Sequence, residues 1–231
     1  MKSYTIYLIR HGTAQGNLSG QYIGVTDSPL AEQGKVQLQA LVGQKAYPKV
    51  QGYYTSPLSR CTESLRLIYP QVQPIVVEDL RECDFGAWEG KSAKDLADDP
   101  NFAAWMQSGA VMAPPGGEDG ETFTKRVTAA FAGIVQRMLK AGETSAVVMA
   151  HGGVIMAVLA AFGLPRAPFY DWMTEPGKGY ALRITAGLWM REQVLEVFDT
   201  VPPRNEQERT YTVVDVAREA ADRAFGQDAS K

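Results

Sequence analysis

Tyr4-Thr5-Ile6-Tyr7-Leu8-Ile9 runs directly into Arg10-His11-Gly12 near the start of the chain. The six leading residues are aromatic, β-branched or aliphatic, which predicts a strand buried on both faces. Polar residues follow at once, at that strand's carboxyl end. In open α/β sheets this edge is where ligands bind. A second apolar run, Ala146-Val147-Val148-Met149-Ala150, ends in the same way at His151-Gly152-Gly153.

Outward from these two runs, strand and helix signals alternate. Residues 12–30 read as a loop punctuated by Gly12, Gly16, Gly20, Gly24 and Pro29. A helix is expected over Ala31–Ala46, with Val36, Leu38, Leu41 and Val42 as its apolar stripe. Gly52–Thr55 predicts a short strand, Ser59–Tyr69 a helix and Pro74–Glu78 a strand. Short helices are expected near Ser92–Ala97 and Asn101–Gln107, before Pro114-Pro115-Gly116-Gly117 breaks the pattern. Glu121–Ala141 carries Phe123, Val127, Phe131, Ile134 and Met138 at helical intervals. A helix over Val154–Phe162 follows, then strands over Tyr180–Leu188 and Val194–Phe198 as a late antiparallel addition. This order predicts a single α/β domain, with a mostly parallel central sheet flanked by helices on both faces. The domain is expected over residues 1–203, with 98–120 as a pocket-capping insertion. Residues 204–231 form a tail, with a helix expected over Val213–Phe225.

Composition is that of an ordinary globular chain: 231 residues, 45% hydrophobic and 21% charged, enough for one substantial core. The net charge of −3 and the lack of a basic run argue against nucleic acid and anionic membrane as partners. The apolar run after Met1-Lys2-Ser3 stops at Ile9, too soon for a signal peptide, and no stretch is long enough to span a bilayer. Cys61 and Cys83 provide neither a disulfide framework nor a zinc cluster, and read as packing residues in a cytoplasmic protein.

The chain has two histidines, and both sit at strand ends followed by glycine. A neutral imidazole is a nucleophile near pH 7, so this pairing points to one shared site. Arg10 abuts the first buried strand, and Arg60 follows Ser56-Pro57-Leu58-Ser59 at another strand-to-helix passage. Guanidinium groups hold phosphate by paired, charge-assisted hydrogen bonds. Arg66, Arg126 and Arg137 read as solvated surface groups. Leu80-Arg81-Glu82-Cys83-Asp84-Phe85-Gly86-Ala87-Trp88-Glu89-Gly90 sets carboxylates among apolar side chains, where one can keep its proton and act as a general acid. Spacing alone does not choose between Glu82, Asp84 and Glu89.

With these blocks in order, the chain resembles the histidine phosphatase superfamily, which includes the cofactor-dependent phosphoglycerate mutases. The resemblance rests on Arg10-His11-Gly12 with Asn17, on Tyr22 to Leu30 with Gly34, and on Ser56 to Ser64. It continues in Leu80 to Gly90, Pro115-Gly116-Gly117-Glu118 and His151-Gly152-Gly153-Val154, in family order over residues 4 to 160. It implies a phosphoglycerate mutase-like fold and no cofactor or metal. It also implies that His11 is phosphorylated, that Arg10, Asn17, Arg60 and His151 hold the phosphoryl group, and that Glu82 is the acid. Thr13 and Ala14 depart from the Glu or Gln and Thr usual in the family, and Ala14 removes a hydroxyl from the phosphate loop.

Hydrolysis is the first reading, because Glu82 to His151 spans 69 positions, without the long insertion of the resembling mutases. The expected substrates are small phosphate monoesters: sugar phosphates, phosphoglycerates, nucleotide-like phosphates or ribazole phosphate. Mutase-type phosphoryl transfer and a non-catalytic phospholigand-binding module are the alternatives. Phe102, Trp105, Met106 and Met112 either cap the pocket or fill core, and Lys178 either borders it or lies on a surface turn. A homodimer is left open. A cysteine nucleophile is not supported, since neither cysteine has an arginine six positions on.

Overall fold

A computed structural model describes residues 2–203 and Asp215. The tail and its expected helix lie outside the described residues, Asp215 apart. The first strand, β1 (Ser3–Arg10), is followed by a one-turn helix α1 (Gln15–Leu18) and by α2 (Glu32–Gly43). Then come β2 (Gly52–Thr55), α3 (Ser59–Ile68), the edge strand β3 (Ile75–Val76), α4 (Pro100–Gln107) and the long α5 (Gly120–Ala141). The second apolar run forms β4 (Ser145–Ala150), succeeded by α6 (Gly152–Phe162) and β5 (Gly163–Leu164). The last elements within residues 2–203 are β6 (Gly179–Thr185), α7 (Ala186–Glu192) and β7 (Leu195–Val201).

The described residues form a single α/β domain around one seven-stranded sheet in the order β3-β2-β4-β1-β6-β7-β5. Strands β3, β2, β4 and β1 run parallel, while β6 is antiparallel to both β1 and β7. The late antiparallel addition is thus present. Strand β4 explains why its sequence reads as unbroken apolar residues rather than alternating ones. Ala146, Val148 and Ala150 pack into the core beneath α5 and α6, whereas Val147 and Met149 pack with Leu38 of α2 and with Cys61 and Leu65 of α3. Both faces are covered, so both sets of side chains must be apolar.

Helix α5 starts one residue before its expected position. The Asp119 carboxylate accepts from Thr122 N at 2.8 Å, and Gly142 ends the helix at φ 71°. All five residues of its predicted stripe are buried. In α2 the stripe is narrower than expected: Leu38 is fully buried, whereas Val36 is exposed.

Several elements differ from the sequence reading, among them the unexpected short strand β5 and the extension of β7 to Val201. The loop over 12–30 contains α1. The strand expected over Tyr180–Leu188 ends at Thr185, and α7 begins at Ala186. Ala, Leu, Met and Arg favour helix there, and Trp189 is drawn in against Phe131 and Phe162. The helix expected over Ser92–Ala97 is a series of turns. Asp95 accepts from Ser92 N at 2.9 Å and from its hydroxyl at 2.7 Å, a local closure that competes with helix. Finally, Pro74–Glu78 contributes only Ile75–Val76 to the sheet, both exposed at its edge.

The parallel register positions the site. Arg10 pairs with Ala150 and Thr55 with Met149, so His11, Ser56 and His151 all leave the sheet at the same carboxyl edge.

Candidate active site

His11 is almost completely buried, and its ring lies 5.2 Å from that of His151, centroid to centroid. Its Nδ1 is 2.6 Å from the carbonyl oxygen of Gly12. A carbonyl only accepts, so Nδ1 carries the proton and Nε2 keeps its lone pair. The Gly12 N–H donates to Ser64 Oγ at 2.9 Å, and that hydroxyl donates to the Arg60 carbonyl at 2.6 Å. Gly12 lies close against α2, where a side chain would meet Leu38 Cδ1 at 2.7 Å and displace it. Burial lowers His11 to about 3, with the Arg60 and Arg10 charges adding to the effect against the Gly12 carbonyl.

Arg10 is anchored by its NH1 donating to the Thr174 carbonyl at 2.7 Å, while its buried Nε has no protein partner. Burial lowers its pKa as well. The Gly177 N–H donates to the carbonyls of both Arg10 and His11, so the 174–178 segment borders the site through its backbone. Lys178 itself pairs with Glu175 at 2.9 Å in an exposed contact. His151 is fully buried. Its Nδ1 accepts from Arg60 Nε at 3.2 Å, which leaves Nε2 as the protonated nitrogen, 2.7 Å from Ser56 Oγ. Burial, followed by the charge of Arg60, holds His151 neutral well below its ordinary value. The Asn17 Oδ1 accepts from Ala14 N at 3.0 Å and closes the turn into α1. Only the amide NH2 of Asn17 is therefore free to serve a ligand. Thr13 turns outward to Gln37, and Ala14 is buried.

The geometry separates the three carboxylates. Asp84 accepts from Gly86 N at 2.8 Å in a local turn, and Glu89 accepts from backbone N–H groups of the 24–26 loop. Glu82 is the one that reaches the histidines' edge of the sheet. Its Oε2 accepts from Gly153 N at 2.9 Å, in the first turn of α6, and its Oε1 from Cys83 N at 3.0 Å. Burial raises its pKa, against those two N–H groups and the charges of Arg60 and Arg10.

Two contributors were not legible as site residues. Ser56 appeared only as part of a motif, yet it holds His151. Arg126, expected to be solvated, is largely buried in an ion pair with Glu118 at 2.6 Å. It also donates to the carbonyls of Asp79 and Arg81, fixing the backbone that leads into Glu82. Arg126 lies on the buried-stripe helix α5, one residue from Val127, which was the available signal. Phe102 and Trp105 belong to a buried aromatic cluster with Trp88 and Leu96, whereas Met106 and Met112 are exposed. Among the described residues, no group of three or more His, Cys, Asp or Glu is arranged as metal ligands. Nor is any helix among them long and apolar enough to cross a membrane.

Residues 6–196 match the sequence profile of the histidine phosphatase superfamily, branch 1. The chain belongs to that family. As a histidine phosphatase superfamily member, it is similar to the adenosylcobalamin/alpha-ribazole phosphatase of Salmonella typhimurium. The two are 27% identical over 79% of this chain and 91% of that one. It is also 32% identical to the 2,3-bisphosphoglycerate-dependent phosphoglycerate mutase of Brucella anthropi, over 69% of this chain and 81% of that one. In fold it resembles the crystal structure of the alpha-ribazole phosphatase from Shigella flexneri. That match has a TM-score of 0.69 at 24% identity, covering 84% of this chain and 94% of that one.

Two predictions arise from the geometry of this superfamily member. A side chain at Gly153 would collide with the Glu82 carboxylate. Gly153→Ala is therefore expected to lower kcat/KM by about 10- to 100-fold through displacement of one carboxyl group. Far-UV circular dichroism should be unchanged, because alanine is a better helix former than glycine. Phosphate release assays check the rate.

The second concerns pH. Between its ordinary value of 6.5 and its folded value of about 3, His11 takes up a proton in the unfolded chain but not in the native one. Stability due to His11 is thus fully present above 6.5 and falls as pH falls, by about 1.4 kcal/mol per pH unit. Glu82 has the opposite sign, since its raised pKa makes stability fall as pH rises above its ordinary value of 4.5. Urea denaturation near pH 5 should show His11→Ala losing about 2 kcal/mol less than the parent, relative to neutral pH.

Proposed function

We propose that this chain hydrolyses small phosphate monoesters, without a resident metal, through a phosphohistidine formed at Nε2 of His11. The observation that carries this reading is the donor arrangement at the sheet edge. The Gly12 carbonyl holds the proton on Nδ1 and so leaves the lone pair on Nε2, in a ring acted on by the charges of Arg60 and Arg10, with the buried Arg10 Nε unpartnered by protein. Arg10, Arg60, His151 and Asn17 would hold the phosphoryl oxygens. In the first step Nε2 bonds to phosphorus as the ester P–O bond breaks, and the Glu82 carboxyl proton passes to the leaving oxygen. In the second step the Glu82 carboxylate takes a proton from water, the new O–P bond forms and the N–P bond breaks. Inorganic phosphate leaves, and His11 is neutral again. The cations stabilise the charge on the equatorial oxygens in both steps.

For the ester, the reading favours a phosphate carrying a planar base, of the ribazole phosphate kind. The Salmonella typhimurium relative, which matches this chain over most of its length, is named for such a substrate. Tyr170 and Met173 are exposed on the segment that holds Arg10 through Thr174, and Tyr170 is tied to the Gly109 carbonyl. Aromatic and thioether groups there suit the planar base carried by such a leaving group. The second reading, isomerisation of phosphoglycerate, is favoured by the similarity to the Brucella anthropi mutase.

One panel separates these readings: alpha-ribazole 5′-phosphate, a nucleoside monophosphate, a sugar phosphate and 3-phosphoglycerate, each with a chelator present. Release of phosphate, fastest from alpha-ribazole 5′-phosphate, is the expected result. Isomerised phosphoglycerate with no release from any ester would favour the mutase, and loss of all release on chelation would remove the metal-free mechanism.

A further inference from the structure

Glu89 takes no part in the reaction proposed above, yet its surroundings are not those of a solvated acid. Its carboxylate accepts from Gly24 N (3.1 Å to each oxygen), Val25 N (3.0 Å), Thr26 N (3.3 Å) and Phe85 N (3.0 Å). Four backbone N–H groups thus converge on one side chain. With these N–H groups drawn to Glu89, the same loop presents its carbonyls to Arg60. Arg60 NH2 donates to Gly24 O at 2.6 Å and Ile23 O at 3.5 Å, and NH1 donates to Thr26 O at 2.9 Å. A side chain at Gly24 would run into the Cys83 carbonyl, so the loop can lie this close to the 82–89 segment only with glycine there.

The guanidinium of Arg60 is 1% exposed and has no acceptor atom, so its remaining contact has one possible direction. Its Nε–H donates to His151 Nδ1 at 3.2 Å, which leaves Nε2 of His151 protonated beside Ser56 Oγ. The donors and acceptors therefore form one ordered chain from the Glu89 carboxylate through the 24–26 backbone and Arg60 to His151.

We propose that Glu89 is a positioning residue, which sets the guanidinium of Arg60 through the 24–26 backbone and thereby the tautomer of His151. The effect on turnover rests on the phosphoryl-transfer reading of the site. Glutamine at 89 has nearly the same shape, but it turns an NH2 toward backbone N–H groups that need an acceptor. The loop then relaxes and its carbonyls no longer cradle Arg60.

The test is a double-mutant cycle with Glu89→Gln and Arg60→Lys, read as kcat and KM on p-nitrophenyl phosphate, together with ¹⁵N NMR of the histidine rings. Glu89→Gln is expected to lower kcat by about 10- to 100-fold, the effect of losing hydrogen bonds to a charged group. In the Arg60→Lys background it should cost less than about threefold more, because both changes break one relay. The ring spectrum should change from a single His151 tautomer protonated at Nε2 to a mixture. Additive losses in the cycle, or an unchanged His151 tautomer in Glu89→Gln, would overturn the proposal. If the glutamine variant does not fold, Glu89→Asp keeps the charge, withdraws it by one methylene and is read by the same two criteria. Absence of turnover in the parent protein would count against the phosphatase reading, and the tautomer measurement would still decide the role of Glu89.

Discussion

Replacing His11 with alanine is expected to lower kcat/KM for every phosphate monoester by about 10⁴-fold or more, the scale of losing a covalent nucleophile. The argument is local. Alanine removes the atom proposed to bond phosphorus, but it leaves Arg10, Arg60 and His151 on elements that do not depend on the imidazole. Arg10 remains tied to Thr174, and Arg60 to the carbonyls of Gly24 and Thr26. Affinity for inorganic phosphate should therefore survive within about tenfold, since one uncharged group has left a site whose charges remain. Phosphate release assays and calorimetric titration with phosphate measure the two quantities separately. A variant that releases phosphate at near-parental rates would mean that another group attacks phosphorus.

The second large effect is expected at Glu82 and should depend on the leaving group. Glu82→Gln keeps an acceptor for one of the two N–H groups, Gly153 or Cys83, but has no proton to give. An alkyl phosphate needs that proton as its P–O bond breaks, so kcat/KM for it should fall by about 10²- to 10⁴-fold. p-Nitrophenyl phosphate releases a stable phenolate without help, and its kcat/KM should fall by about tenfold or less. On the proposed mechanism the same carboxylate activates water against the phosphohistidine, so that step should also slow and kcat should drop for both esters. Equal losses in kcat/KM for the two esters would show that Glu82 is not the acid of the first step.

The sheet and its carboxyl edge were legible because β4 is buried on both faces and β1 is buried on one, with Thr5 and Tyr7 half-buried on the other. β1 and β4 therefore read as apolar runs, and each run ends at a histidine. Helix α5 was legible from its one buried stripe, while its capping aspartate, Asp119, was found only in the structure. The margins were less readable. β3 has two exposed residues, and α7 owes its place to Trp189 packing against α5 and α6, a contact between distant segments that no local pattern announces. At the site, the residue types pointed to His11, His151, Arg10 and Arg60. The choice among Glu82, Asp84 and Glu89 needed three dimensions, because it turns on which carboxylate meets the first turn of α6. Arg126 and Ser56 were passed over on related grounds. An arginine on a helix and a serine before proline look alike whether they face solvent or hold a catalytic backbone.

The central claim is that His11 Nε2 forms a bond to phosphorus. The most direct measurement is rapid acid-free quenching of the protein during turnover of p-nitrophenyl phosphate, followed by mass spectrometry of the peptide bearing residue 11. The account predicts a peptide heavier by one phosphoryl group, with an acid-labile, alkali-stable modification on His11 that accumulates further in Glu82→Gln. Turnover with no such adduct on His11 in either protein, or an adduct on His151 instead, would contradict it.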